Sequence, residues 1–244
     1  MILTLNSRSD FVNNFLSPLG RVGTSCILRF TEKGIVTLLS AADNTVVIYG
    51  IYSKAFPTGT DLKVNIPDLQ RLIRVLQCIN TEEIELDITD SQLKYTSNDL
   101  RFTYHLLEDG ILSLPPLSVD KIKKIQYNTT FEVPYSSFLN LLKSSTFTLD
   151  LHKLYIFTKD DSVYAEINDK QAHSVDSICI KLCDNYTGDP IDEALPVSFE
   201  TIRTLSGLKC NEMSVKVNSK LNVMMFGINI DNINMTYIVS GLIK

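Results

Sequence analysis

Arg71 and Arg74 stand three apart in a stretch, 67–79, whose leucines recur at helical spacing. At 100° per residue Leu69, Leu72, Ile73 and Leu76 share one face, and the two arginines straddle the other. Helix arginines without interleaved stacking aromatics suit phosphate oxygens better than bases, so the chemistry they offer is the holding of a polyanion. Three more stretches carry the same kind of charge: Arg8 and Arg21 in 7–22, Lys143 in 134–146, and Arg203 with Lys209 in 198–209. Together the four hold seven basic residues against three acids (Asp10, Asp68, Glu200), a balance of +4 in a chain of formal charge −5, so the remainder is −9. The three acids fall in first helical turns, where the helix dipole favours them. Arginine and lysine are also simply good surface helix formers. Their segregation onto four helices of an acidic chain argues for more: a basic lining that meets a polyanion and an exterior that repels it, with weak, sequence-independent, salt-sensitive contact.

Catalytic chemistry has no comparable footing. The three histidines stand outside any motif: His105 alternates within a strand, His152 is in a turn and His173 follows Ala172. Cys179 and Cys183 lie about 13 Å apart at strand rise, too far to share one metal. No Gly-x-Gly-x-x-Gly, Walker loop or Gly-x-Ser-x-Gly is present. The acid pairs Glu82-Glu83 and Asp160-Asp161 sit at turns. The expectation is no catalytic residue, no metal and no cofactor.

The helices that position the basic residues recur in a repeating context. The first copy has a strand at 2–5, a helix from about Ser7 that Pro18 and Gly20 should shorten, and strands at 25–31, 34–40 and 46–51. The second has strand 62–66, a helix entered at Pro67, and strands 84–89, 93–95 and 100–106. The third has strand 130–133, a helix from Pro134 to Ser144, and strands 154–158, 163–168 and 174–182. In that helix Tyr135, Phe138, Leu139 and Leu142 are expected inward, with Ser137, Asn140 and Ser144 outward. The fourth has strand 195–197, a helix capped by Ser198 that buries Phe199, Ile202 and Leu205, and strands 213–217, 223–228 and 235–242.

These are four βαβββ units, and residues 108–126, with Pro115-Pro116 and Lys121-Ile-Lys-Lys124, show no clean periodicity. The fold class is therefore α+β: two similar domains, 1–107 and 127–244, of two units each, joined by a linker at 108–126. Helices should line one face, with antiparallel sheets outside. A single α+β domain with an insertion is the alternative. No run reaches the roughly 18 apolar residues of a membrane span, the opening Met1-Ile-Leu-Thr-Leu-Asn6 lacks leader-like regions, and five cysteines without scaffold spacing suit a reducing compartment. A cytoplasmic protein with no membrane partner is expected.

In this organisation the chain resembles the sliding clamps, the processivity factors of DNA polymerases. Ser40-Ala-Ala-Asp-Asn-Thr-Val46, after the strand Gly34-Ile-Val-Thr-Leu-Leu39, is similar to the Ala-x-Asp-x-x-x-Val turn of eukaryotic and archaeal clamps. Val133-Pro-Tyr-Ser-Ser-Phe-Leu-Asn-Leu-Leu142 and the closing Met235-Thr-Tyr-Ile-Val239 resemble the shorter trimeric clamps of T4-like phages. The resemblance implies a DNA clamp fold, a homotrimeric ring around double-stranded DNA that tethers the replicative polymerase and is opened by a clamp loader, and a viral source in a host cytoplasm. It also implies a subunit junction on the strands that hold Phe102, Tyr104, Ile178 and Ile180. A partner-peptide pocket would be formed by Leu114, Pro115, Pro116 and Leu117 with Leu242 and Ile243 of the tail. The alternatives are a monomeric accessory factor that holds DNA by charge and an α+β enzyme with a site outside known motifs.

Overall fold

The computed structural model describes all residues except 145, 147–150, 171–175, 208–209 and 243–244, so His173, Lys209 and Ile243 lie outside the described residues. The chain divides into two compact units, Met1–Ser118 with Ile230–Asn234, and Val119–Asn229 with Met235–Lys244. The first runs β1 (Ile2–Leu5), α1 (residues 8–22), β2 (Cys26–Thr31), β3 (Gly34–Ser40), β4 (Val46–Ser53), β5 (Asp61–Ile66), α2 (Leu69–Gln77), β6 (Ile84–Ile88), β7 (Gln92–Thr96) and β8 (Arg101–His105). The second runs α3 (Val119–Lys124), β9 (Thr129–Pro134), α4 (Tyr135–Ser144), β10 (Lys153–Lys159), β11 (Ser162–Ile167), β12 (Ile178–Cys183), β13 (Thr187–Gly188), β14 (Leu195–Ser198), α5 (Phe199–Arg203), β15 (Glu212–Asn218), β16 (Val223–Ile230) and β17 (Ile233–Ser240). No helix among the described residues is long and apolar enough to cross a membrane.

Within the first unit the strands order as β1-β6-β7-β8 and as β4-β3-β2-β5, all neighbours antiparallel. The second unit has β12-β11-β10-β14 and β13-β9-β15-β16-β17. Inward and outward side chains alternate along these strands, as β2 (Cys26, Leu28 and Phe30 buried) and β15 (Met213, Val215 and Val217 buried) illustrate. The core of the first unit sets Phe11, Phe15 and Tyr52 against one another at 5.2–5.8 Å between ring centres. Leu69, Leu72, Ile73 and Leu76 of α2 are all buried there too.

Helix α1 is not shortened by Pro18 and Gly20. It opens with an α turn (Arg8–Asp10), widens to a π-helix over Phe11–Leu16, and returns to α over Ser17–Val22. Proline has no N–H to give and its ring crowds the carbonyl one turn back, so a wider turn before it relieves both faults. The Ser17 amide and hydroxyl both donate to the Val12 carbonyl, five residues earlier, the hydroxyl at 2.8 Å.

Three further local expectations are corrected. Asp68, not Pro67, starts α2: its carboxylate accepts from the Arg71 amide at 2.8 Å, while Pro67 lies outside the helix. In α4 the fully buried residues are Phe138 and Leu141, with Leu139 and Leu142 only half-buried, so the stripe is turned by a residue from the expected one. The stretch after the prolines contains α3, whose Ile122 is buried while its lysines face solvent.

Candidate nucleic-acid interface

Arg71 and Arg74 are exposed on the face of α2 opposite its buried stripe, and Arg21 is exposed in the last turn of α1. The two helices pack side by side, and the Gln70 Nε2 donates to the Gly20 carbonyl at 2.9 Å. Among the described residues none of these three arginines is in an ion pair. The acids on the same helices are engaged locally: Asp68 caps α2 and Asp10 accepts from the Asn14 amide. Two packed helices therefore carry three exposed arginines without an ion pair among the described residues, suited to phosphate oxygens.

Arg8 is set apart from them. Its side chain is only 14% exposed, its Nη2 meets Glu82 at 2.9 Å and its Nε donates to the Thr81 carbonyl at 3.1 Å. Glu82 also accepts from the Ser9 hydroxyl (2.7 Å), the Ser9 amide (2.9 Å) and the Ser7 hydroxyl (3.2 Å), which ties the start of α1 to the loop before β6. Those Ser9 bonds, above all, hold the Glu82 carboxyl below its usual range. A lowered folded pKa means that this stabilisation is complete above the ordinary glutamate value of about 4.3 and is lost as pH falls through the lower folded value. Glu82→Gln is thus expected to lower the melting temperature at pH 7, and the gap from the unsubstituted protein is expected to narrow as pH falls below the ordinary glutamate value of about 4.3. Thermal unfolding followed by circular dichroism across that pH range checks it.

In the second unit Lys143 is exposed on α4, whereas Arg203 on α5 pairs with Glu200 at 2.9 Å and lies over the Phe199 ring at 4.9 Å.

The strands expected at a junction are both sheet edges: β8 ends one sheet of the first unit and β12 ends one of the second. Their side chains are less free than their backbones. Tyr104 is buried, and its hydroxyl accepts from the Asp68 amide at 3.0 Å and donates to the Asp68 carbonyl at 2.7 Å, holding the start of α2. Phe102 is half-buried and stacks on Tyr95 at 5.7 Å. Ile178 and Ile180 are half-buried on β12.

A cavity of about 660 Å³ opens in the first unit between 22–27, 38–42 with Asn44, and 111–116, and among the described residues no charged side chain lines it. Leu114, Pro115 and Pro116 are in its wall, Leu117 lies just beyond, and Leu114 and Ile111 are 68% and 59% exposed. Leu242 belongs to the second unit, where its amide donates to the Pro196 carbonyl. The opposite wall, Leu39, Ser40, Ala41, Ala42 and Asn44, was not singled out by sequence reasoning as part of a pocket. Its signal was the Ala-x-Asp turn: Asp43 accepts from the Thr45 amide (3.0 Å) and hydroxyl (2.8 Å), which hold its carboxyl below the usual range, and Asn44 takes the left-handed conformation at φ 58°.

No protein-family model and no curated protein sequence matches the chain. Solved structures do. The proliferating cellular nuclear antigen (PCNA) of Entamoeba histolytica superposes with a TM-score of 0.78 at 10% identity, covering 99% of this chain and 98% of that one. A. fulgidus PCNA, solved with the C-terminal region of FEN-1 bound, gives 0.80 at 11% identity over 100% and 99%. The PCNA2–PCNA3 complex of Sulfolobus tokodaii gives 0.76 at 10% identity over 99% of each chain. From end to end, the chain has the fold of the PCNA-type sliding clamps.

Proposed function

We propose that this chain is a DNA polymerase sliding clamp: a scaffold without an active site, three copies of which close a ring on double-stranded DNA and tether the polymerase for processive synthesis. The observation that carries the reading is the set Arg21, Arg71 and Arg74, exposed and without an ion pair among the described residues, on the helices of a clamp-fold chain whose net charge is −5. A polyanion is attracted at those helices and repelled elsewhere. Two domains per chain, 1–107 and 127–244 about the 108–126 linker, make three copies the number that completes six domains, joined head to tail through β8 of one copy and β12 of the next. Such a contact is heterologous and closes because its rotation closes. It also covers two strand edges that would otherwise invite aggregation. A clamp loader opens the ring.

Light scattering coupled to size exclusion tests the assembly: three times the chain mass of 27.5 kDa is expected. A monomer at every concentration would replace the ring by a factor that holds DNA through charge alone.

The uncharged 660 Å³ cavity is where a short apolar segment of the polymerase or another DNA-processing protein docks. Leu114→Glu, at a position 68% exposed, is expected to leave the melting temperature unchanged and to weaken partner-peptide binding by about ten-fold. Calorimetric titration with a polymerase C-terminal peptide measures it; unaltered affinity would place docking elsewhere.

A further inference from the structure

We infer that the two units grip DNA unequally: Arg21, Arg71 and Arg74 of the first act as one phosphate grip, and Gln70 is the positioning residue that holds their two helices together. This rests on the reading of the chain as a DNA-encircling clamp and names the part of the surface that carries the contact.

Two observations lead to it. The first is the difference in compensation. Among the described residues, which do not include Lys209, the first unit presents three exposed arginines outside any ion pair, whereas in the second Arg203 is neutralised by Glu200 and Lys143 stands as an exposed cation on α4. A cation that already has a carboxylate at 2.9 Å gives up that pairing when it meets a phosphate, so it gains less from the exchange.

The second is how closely α1 and α2 approach. A Cβ on Gly20 would sit 2.7 Å from Gln70 Nε2 and 3.1 Å from Ile73 Cδ1, so the helices meet closely enough there that an added methyl would displace the Gln70 amide, the far end of a flexible side chain. The Gln70 amide closes the contact on the Gly20 carbonyl at 2.9 Å. Gln70 precedes Arg71 and Gly20 precedes Arg21, so this bond fixes the backbones from which both arginines extend. Two helices held this way present their cations as a set, and the ordering cost of bringing them to adjacent phosphates is met on folding rather than on binding.

The test is fluorescence anisotropy of a labelled duplex of arbitrary sequence with the full chain, across a potassium chloride series. Each phosphate that the protein no longer neutralises lowers the slope of log affinity against log salt by about 0.9. Arg21→Gln with Arg71→Gln and Arg74→Gln is expected to lower it by about 2 to 3, and Lys143→Gln with Arg203→Gln by less than about 1. Equal reductions, or a larger one from the second set, would overturn the asymmetry. Gln70→Ala and Gly20→Ala each break the link between the helices with every cation retained, the alanine at 20 by displacing the Gln70 amide while improving helix propensity. Both should lower the slope by about 0.9, and Gly20→Ala should do so without a lower melting temperature. An unchanged slope in both would overturn the role of Gln70. Absence of salt-dependent binding by the unsubstituted protein would instead remove the DNA reading beneath the inference.

Discussion

Reversing Arg71 and Arg74 together to glutamate is expected to lower affinity for duplex DNA by roughly sixty-fold at 0.1 M salt, because each neutralised phosphate is worth about eight-fold there. The fold should survive. Both side chains are exposed, and glutamate is as good a helix former as arginine. At 71 it would stand in the first turn of the helix, where the helix dipole favours a carboxylate. The weaker binding therefore reports on charge and not on α2. Primer extension on a singly primed circular template, with the cognate polymerase and loader, should show products shortened to those made without the clamp. Full-length products from the reversed variant would mean that these arginines do not face the duplex.

Ile180→Asp on β12 is expected to convert the proposed trimer to a monomer. Ile180 is half-buried on an edge strand whose outer backbone groups have no partner strand among the described residues. Aspartate there lowers strand propensity and would bring an unpaired carboxylate into the junction. A cost of about 3 kcal/mol per junction is more than a hundred-fold in association. Light scattering should fall from three chain masses to one, and topological retention on closed circular DNA should disappear while weak salt-dependent binding to linear duplex persists. The reversed-arginine variant should behave oppositely, keeping its mass while losing duplex affinity. A trimer that withstands Ile180→Asp would place the junction on other strands.

The sequence carried most of this architecture because the chain uses strong periodic signals. Alternation in β2 and β15 and the four-residue stripe of α2 are set by burial on one face, and any reading of hydrophobic period finds them. What escaped depends on single contacts. Asp68 displaced Pro67 as the start of α2 through one carboxylate-to-amide bond and the grip of Tyr104. Tyr104 itself reads as a junction residue from its place on an edge strand, yet its hydroxyl is turned inward. Arg8 carries the same charge as Arg71, and only the fold brings Glu82, distant in sequence, against it. In α4 the closely spaced leucines leave the phase undetermined to within a residue, and packing chose Leu141 over Leu142. Six residues with three lysines gave α3 too little apolar signal to register. The approach of Gly20 to Gln70 left no trace in composition, since a glycine followed by an arginine near a helix end looks like a terminator.

The π segment at Phe11–Leu16 also acts beyond its own six residues. A wide turn of this kind holds one residue more than the α-helix it interrupts, so it sets the rotational phase of all that follows. Phe11, Val12, Phe15 and Leu16 are buried before it closes, and Leu19 and Val22 after, which leaves Arg21 pointing outward. Wound as plain α with all its residues kept, the helix would turn its end by about 100° against its beginning. Either the buried pairs or Arg21 would then be misdirected. The width of this one turn is thus part of the electrostatic layout of the molecule, and a change in its winding would act on the charge map as surely as a substitution of the arginine.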